Sequence, residues 1–249
     1  MPENSPKVSI ILPTYNGSAY IQKAIDSCLH QTHSHLELIV IDDGSTDNTA
    51  QLVESFHDGR VRLVRLEKNQ GHIVALNKGF SLSNGDYLTW TSDDNYYAPD
   101  AISMMLGELM HDKTIDFVYT KYHVIDAAGH ILRQGRFEDP SYLDIDNCVG
   151  GCFLYKRKVY ETVGDFNTEA FLAEDYEYWL RVRSKFKMKQ LDKTLYFYRE
   201  HPKSLTGIHK EERVQQQVLK IREQHLPFSK KIYFKIMRHL QRLKQNLRA

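Results

Sequence analysis

The sequence predicts an α/β fold: a doubly wound, mixed but mostly parallel sheet flanked by helices, with a C-terminal helical tail. Short β-branched apolar runs alternate with segments whose apolar residues recur at helical spacing, and the alternation repeats three times before Gly85. Each run is followed by a polar loop rich in Asp, Asn, Ser, Thr or Gly, and right-handed crossovers would gather those loops along one edge of the sheet. The third observation is bulk. At 249 residues, 41% hydrophobic and 26% charged, the chain suits one large globular domain and is too short for two generous ones.

Val8-Ser-Ile-Ile-Leu12 is a continuous apolar run ending at Pro13, as expected of a strand buried on both faces. After the loop Thr14-Tyr-Asn-Gly17, residues Ile21, Ala24, Ile25, Cys28 and Leu29 mark the first helix. Leu36–Ile41 is the second strand; Asp42–Asp47 supplies helix-capping residue types, and Leu52, Val53 and Phe56 follow in a helix. Val61–Leu66 alternates as a third strand, and Ile73, Leu76, Asn77 and Phe80 share one side of a helix that Gly85 is expected to end. These loops have the chemistry of a nucleotide pocket. Asp43 can accept from a base N–H, Tyr15 offers a ring for stacking, and backbone N–H groups near Thr14 and Asn16 can meet ribose or phosphate. Turn and cap chemistry is the competing explanation for Asp43 and Asp47, and surface packing for Tyr15.

The stretch Asp86–Tyr97 holds a buried-looking strand that runs into Asp93 and Asp94, with Pro99 opening the next helix through Ile102, Met105, Leu106 and Leu109. Adjacent carboxylates at a strand's carboxyl end repel each other, and a hard cation, Mn²⁺ or Mg²⁺, relieves that repulsion and can clamp a diphosphate. A solvated capping pair is the alternative. Ile115–Thr120 reads as a strand and Ala127–His130 as a hairpin turn, while residues 133–147 are polar and loop-like, a place for acceptor specificity. Gly150 and Gly151, set among apolar neighbours, indicate either close backbone approach to a ligand or a bulge.

Further on, Tyr178, Trp179 and Val182 form an apolar stripe, which puts Glu174 and Asp175 in the first turn of a helix. There the helix dipole favours an ionised carboxylate, usable as a general base or serving only to balance the dipole. Leu195–His201 looks like a last strand delivering His201 to a loop, where a neutral imidazole either completes a metal site begun by Asp94 or is solvated. Cys28, Cys148 and Cys152 have neither zinc-type nor disulfide-framework spacing and read as small buried hydrophobes.

Charge is unevenly spread. Residues 201–249 hold 12 Lys and Arg against 3 Asp and Glu, leaving 21 against 29 for the rest, within a net charge of +1. That balance argues against nucleic acid as a partner and for a tail with its own. From Phe228, Ile232, Ile236, Leu240, Leu243 and Leu247 face one way, while Lys230, Lys231, Lys235, Arg238, Arg242, Lys244 and Arg248 have no opposing acid. This pattern suits an anionic membrane surface, with packing on protein as the competitor. No 18-residue apolar stretch and no signal-peptide pattern are present, so a cytoplasmic location is expected, with peripheral contact at the inner face of the membrane.

Taken in order, VSIILPTYN (8–16), LIVIDDGSTD (38–47), NQGHIVALN (69–77), TSDDN (91–95), Gly150–Gly151, AED (173–175) and YREH (198–201) resemble the glycosyltransferase family 2 enzymes with a GT-A fold. The resemblance implies an inverting transferase acting on a nucleotide-sugar donor, a UDP-sugar, with a divalent metal, in surface polysaccharide synthesis. It makes residues 1–207 the GT-A domain and 208–249 the basic tail. It implies that Thr14, Tyr15 and Asp43 hold base and ribose, that Asp93 assists at ribose and metal, and that Asp94 and His201 bind the metal. Asp175, preceded by Glu174, would be the catalytic base. Pro13, Asn16, Asn69, Asn77, Gly150 and Gly151 fall in the same motifs as substrate-side positions. Two departures matter. The Gln-x-x-Arg-Trp signature of processive members is missing, because Tyr178-Trp-Leu-Arg-Val-Arg183 does not match it, so one sugar should be added per encounter to a saccharide or lipid-linked acceptor. Asn95 also stands where some members have a third acid. Two other readings are a sugar-phosphate nucleotidyltransferase, disfavoured because Pro13–Gly17 has no basic residue for a triphosphate, and a non-catalytic nucleotide-sugar binding module, which leaves Glu174 and Asp175 unexplained.

Overall fold

A computed structural model describes residues 5–209 and 211–225. The first half is a wound β/α succession: β1 (Val8–Thr14), α1 (Ile21–Leu29), β2 (Leu36–Asp42), α2 (Thr49–Glu54), β3 (Val61–Arg65), α3 (His72–Leu82) and β4 (Tyr87–Trp90). Then come β5 (Tyr96–Tyr97), α4 (Ala101–His111), the hairpin β6 (Phe117–Ile125) and β7 (Ile131–Gln134), β8 (Phe153–Lys156) and α5 (Arg157–Val163). The chain finishes with α6 (Glu174–Arg183), β9 (Met188–Arg199), α7 (Leu205–Ile208) and α8 (Glu211–His225).

The sheet order is β3-β2-β1-β4-β8-β6-β9-β5, with β7 beside β6. β3, β2, β1 and β4 are parallel, whereas β8 runs against both β4 and β6, which makes the second half mixed. Every residue of β1 is buried, because strands pair on both its edges and helices cover both its faces. Its side chains alternate between two cores: Ile10 and Leu12 pack with Ala24, Ile25 and Met105, and Ile11 packs with Leu76, Phe80 and Trp179. Register fixes where the loops emerge. Thr14 lies opposite Asp42, Asp42 opposite Arg65, and Ile11 opposite Trp90, so the segments after β1 to β4 leave from the same edge.

Several boundaries differ from the sequence expectation. α3 stops at Leu82, and Gly85 serves close packing: a Cβ there would lie 2.6 Å from the Ser9 backbone nitrogen. β9 begins at Met188, seven residues before the expected Leu195, because Met188–Leu191 pair in parallel with Phe117–Thr120 despite their polar composition. Residues 211–225 of the expected tail form α8, which packs on α6: Ile221 is buried, Arg222 donates to the Ile145 carbonyl at 2.7 Å, and His225 lies 3.3 Å from Glu177. The basic stretch from Phe228 onward lies outside the described residues. Among the described residues no helix is long and apolar enough to cross a membrane.

Candidate active site

The loop after β1 is built on the loops beside it. Pro13 is the buried penultimate residue of β1, and Thr14 donates to the Asp93 carboxylate at 2.5 Å. Asn16 adopts a left-handed φ of 54°, which Asn tolerates, and its side-chain oxygen accepts from the Thr46 backbone at 2.8 Å. Gly17 is required by space, since a Cβ would sit 2.1 Å from Asp93 Oδ2. Tyr15 projects from this loop, 47% exposed, with its ring available to a ligand. Asp43, nearly fully buried, accepts from the Gln70 and Gly71 backbones at 2.8 Å each, so its first task is to fold the 66–71 loop. Each of its oxygens retains a second lone pair, the one a base N–H would use. Asp47 accepts from the Thr49 backbone at 3.0 Å and from its hydroxyl, the turn chemistry expected ahead of α2.

The carboxyl end of β4 brings in the acid pair. Burial and the neighbouring Asp94 push the Asp93 carboxyl up to about 7. Burial also raises Asp94, opposed by His201 and Arg199. His201 Nε2 lies 3.0 Å from Asp94 Oδ2, while Asp94 Oδ1 is buried without a hydrogen-bond partner. β9 organises this corner: Arg199 donates from its backbone to Asn95 at 2.7 Å and from Nε to the Asp94 carbonyl at 3.0 Å. The Tyr20 ring takes the Arg199 guanidinium 4.5 Å from its centre and packs 5.0 Å from the His201 ring. Asn95 thus anchors a strand, which gives a structural reason for its amide.

Among the described residues, no group of three or more His, Cys, Asp or Glu side chains is disposed to hold a metal ion. Mg²⁺ and Mn²⁺ are commonly held by one or two protein ligands with substrate phosphates and water completing the shell. Asp94, with its unpartnered oxygen, and His201 fit that two-ligand arrangement.

A second pair of acids stands in the first turn of α6. Leu172, at φ 74°, is a left-handed leucine, the kind of local strain found where a chain must aim a functional group. It turns the chain so that Glu174 and Asp175 open α6 with Tyr178, Trp179 and Val182 fully buried beneath. Burial, then Glu174, raises the Asp175 carboxyl to about 6. Asn147 holds its Oδ2 at 2.7 Å, and the Tyr176 backbone donates to Oδ1 at 2.6 Å. Burial likewise raises Glu174, whose Oε2 has no partner.

His72, the first residue of α3, joins the two sides. Burial lowers its imidazole's pKa, while the charges of Asp175, Asp94 and Asp43 all reach it and oppose that shift. Its Nε2 is 3.9 Å from Glu174, and its ring packs edge-on against Trp90, centres 5.6 Å apart. The charges of the β2 and β4 loop ends and of the acid helix therefore all act on this one side chain.

Other expected site residues are placed differently. The Asn77 amide is bonded at both ends to the Phe166 backbone, at 2.8 and 2.9 Å, tying α3 to the segment ahead of α6. Asn69 caps its own loop by accepting from Gly71 at 3.1 Å. Gly150 (φ 67°) and Gly151 make room for aromatic rings, since Cβ atoms there would meet Tyr122 at 2.5 Å and Tyr196 at 2.8 Å. His72, Trp90, Asn147 and Arg199 were not singled out from sequence. His72 and Arg199 lie inside the NQGHIVALN and YREH motifs, a signal that could have found them.

Residues 9–164 match the model of glycosyl transferase family 2. A chondroitin synthase of Pasteurella multocida is 31% identical over 196 residues, covering 77% of this chain and 20% of the synthase, so the chain spans about a fifth of that relative. Among solved structures, Staphylococcus aureus TarS 1–349 in complex with UDP-GlcNAc superposes with a TM-score of 0.69 at 19% identity, over 87% of this chain and 72% of that one. A mannosyltransferase from Pyrobaculum calidifontis in complex with GDP-Man and Mn²⁺ gives 0.66 at 22%, over 89% and 64%. At these identities the structural likeness establishes the fold, the GT-A architecture expected from sequence.

Proposed function

The chain belongs to glycosyl transferase family 2, and from that premise we propose that it is a non-processive, inverting, metal-dependent glycosyltransferase. It moves one sugar from a nucleoside-diphosphate sugar, a UDP-sugar, to a hydroxyl of a saccharide or lipid-linked acceptor in surface polysaccharide synthesis. The observation that carries this reading is Asp94 at the end of β4, 3.0 Å from His201 with its Oδ1 unpartnered, together with Asp175 in the first turn of α6, the charges of both acting on His72. The chondroitin synthase relative supports the polysaccharide role, and the UDP-GlcNAc complex of TarS supports the donor class.

The donor's base stacks on Tyr15 and its ribose lies against Asp43 and Asp93, with Thr14 steering Asp93. The acceptor oxygen attacks the anomeric carbon on the face opposite the diphosphate; the new C–O bond forms as the sugar–phosphate C–O bond breaks, and the diphosphate leaves with the electron pair. Asp175 receives the acceptor's proton late in this step. Even at about 6 its carboxylate is far too weak to deprotonate an alcohol beforehand, but strong enough to accept the proton the transition state releases. Asn147 holds the carboxylate in place. When bound, Mn²⁺ or Mg²⁺ at Asp94 and His201 supplies charge neutralisation at the departing diphosphate.

The test is incubation with a panel of nucleotide sugars and Mn²⁺. Slow hydrolysis to the nucleoside diphosphate is expected. Pyrophosphate exchange would instead make the protein a nucleotidyltransferase, and binding without either reaction would make it a sugar-nucleotide binding module.

A further inference from the structure

Asp175 is steadied by a segment that two helices hold in place. Residues 140–147 lie against α6 and begin with a short 3-10 turn, Pro140–Asp144. From α6, the Tyr176 hydroxyl donates to the Leu143 carbonyl at 2.6 Å, and Arg183 donates to the Asp144 carboxylate at 2.6 Å. From α8, Arg222 donates to the Ile145 carbonyl at 2.7 Å. Two residues later Asn147 reaches the acid: its Nδ2 donates to Asp175 Oδ2 at 2.7 Å, while its Oδ1 accepts from the Val149 backbone at 3.2 Å. An ionised carboxylate only accepts, so the amide has one usable orientation, and a small shift of the segment would break the bond.

Arg222 is placed to prevent that shift. It is buried, whereas Ile145 is 46% exposed, so packing of the Ile145 side chain does little to fix this point of the segment. Asp146 pairs with Arg136, but both are exposed, and an ion pair of that kind contributes little. The bond from Arg222 is therefore the firmest hold next to Asn147. We propose that Arg222 is a positioning residue for the transfer: from α8 it fixes the segment at Ile145 and thereby sets Asn147 against Asp175. The inference rests on the glycosyltransferase reading above and deepens it. Arg222 touches no reacting group, and it makes the orientation of the base depend on a helix that carries none.

The test is a double-mutant cycle read as a pH–rate profile. Diphosphate release at saturating donor is followed with Mn²⁺ and whichever of UDP-glucose, UDP-galactose, UDP-GlcNAc and GDP-mannose the unaltered full chain turns over fastest. Asn147→Ala should lower turnover about tenfold and move the acid limb to higher pH, because the carboxylate loses a donor that favours its charged form. Glu174, His72 of α3 and Tyr122 of β6, whose charges also reach Asp175, stay in place in every variant. Arg222→Met should act in the same direction, lowering turnover about threefold to tenfold. Arg222→Lys, which can still donate to the carbonyl, should recover most of that loss. In the Asn147→Ala background Arg222→Met should change neither turnover nor the limb further, since nothing is left for it to position. A merely structural role, or the field of the Arg222 charge alone, would instead give losses that multiply, and that result overturns the proposal. So does a profile of Asn147→Ala or of Arg222→Met that matches the unaltered chain's. If a thermal scan shows that Arg222→Met does not fold, Arg222→Ala takes its place in the cycle. If the unaltered chain releases diphosphate from no donor, the glycosyltransferase reading falls and the role of Arg222 with it.

Discussion

At the scale of single residues, the proposed chemistry depends on carboxyl groups held above their ordinary range by burial. Asp175, raised to about 6, must be ionised to accept a proton. Turnover at saturating donor should therefore fall about tenfold per pH unit below about 6 and level off above it, which a pH–rate profile of diphosphate release will check. Asp93 works in the opposite sense for stability. Its folded-state carboxyl, near 7 against an ordinary 3.8, binds a proton more tightly than in the unfolded chain. Protonation thus favours the fold, and that contribution is lost as pH rises through the interval between those values. Asp93→Asn should raise the thermal midpoint at about pH 8 without metal or nucleotide, while lowering turnover, and a thermal scan of both proteins reads this out. The carboxylates themselves were legible in sequence, because acid pairs at a strand end and at a helix start carry their own physical rationale. His72 was not: its meaning comes from Asp43, Asp94 and Asp175, three positions that no local pattern connects to it. Asn147 is the same kind of case, a loop amide whose importance appears only when it meets Asp175.

At the scale of elements, the site stands on close-packed glycines and on two strands that brace the loops. Gly79 lets α3 lie on β1, where a Cβ would come 2.4 Å from Ile11 Cγ2. Gly79→Ala should cost about 1–3 kcal/mol in chemical denaturation, the usual penalty for overfilling a packed interface. Gly17→Ala would push a methyl between Thr14 and Asp93, and nucleotide binding should be lost with little change in global stability. The parallel strands β1 to β4 were legible because apolar runs separated by capping residues have few other interpretations. The start of β9 was not, since Lys189 and Gln190 do not look like strand residues until β6 supplies their pairing. Gly85 was misread as a helix stop because a glycine needed for strand contact and one needed for a helix end look alike in sequence. Gly150 and Gly151 kept two meanings for the same reason, and ring contacts with Tyr122 and Tyr196 explain them in the structure.

At the scale of the whole molecule, a sheet that winds in one sense and then turns mixed gathers the loops after β1 to β4 at one edge, and α8 packs on the acid helix α6. A chain ending after His225 should keep the thermal midpoint of the full chain but lose binding to phosphatidylglycerol vesicles in sedimentation, if the basic stretch beyond is the membrane contact. Ending the chain before Glu211 should lower the midpoint as well, by removing Ile221 from the core beneath α6 and His225 from Glu177. The acidic body and basic tail were legible from charge counts alone, but the docking of α8 on α6 was not, because its contacts are a few scattered side chains on an otherwise polar helix. In the proposed transfer, the acid at the end of β4 and the acid at the start of α6 divide the reaction between them. Kinetics of Asp175→Asn beside Asp94→Ala test it most directly. Asp175→Asn should keep donor affinity while turnover falls about 100-fold or more, and Asp94→Ala should weaken donor affinity in Mn²⁺. Unchanged turnover in the first, or unchanged donor affinity in the second, would contradict the account.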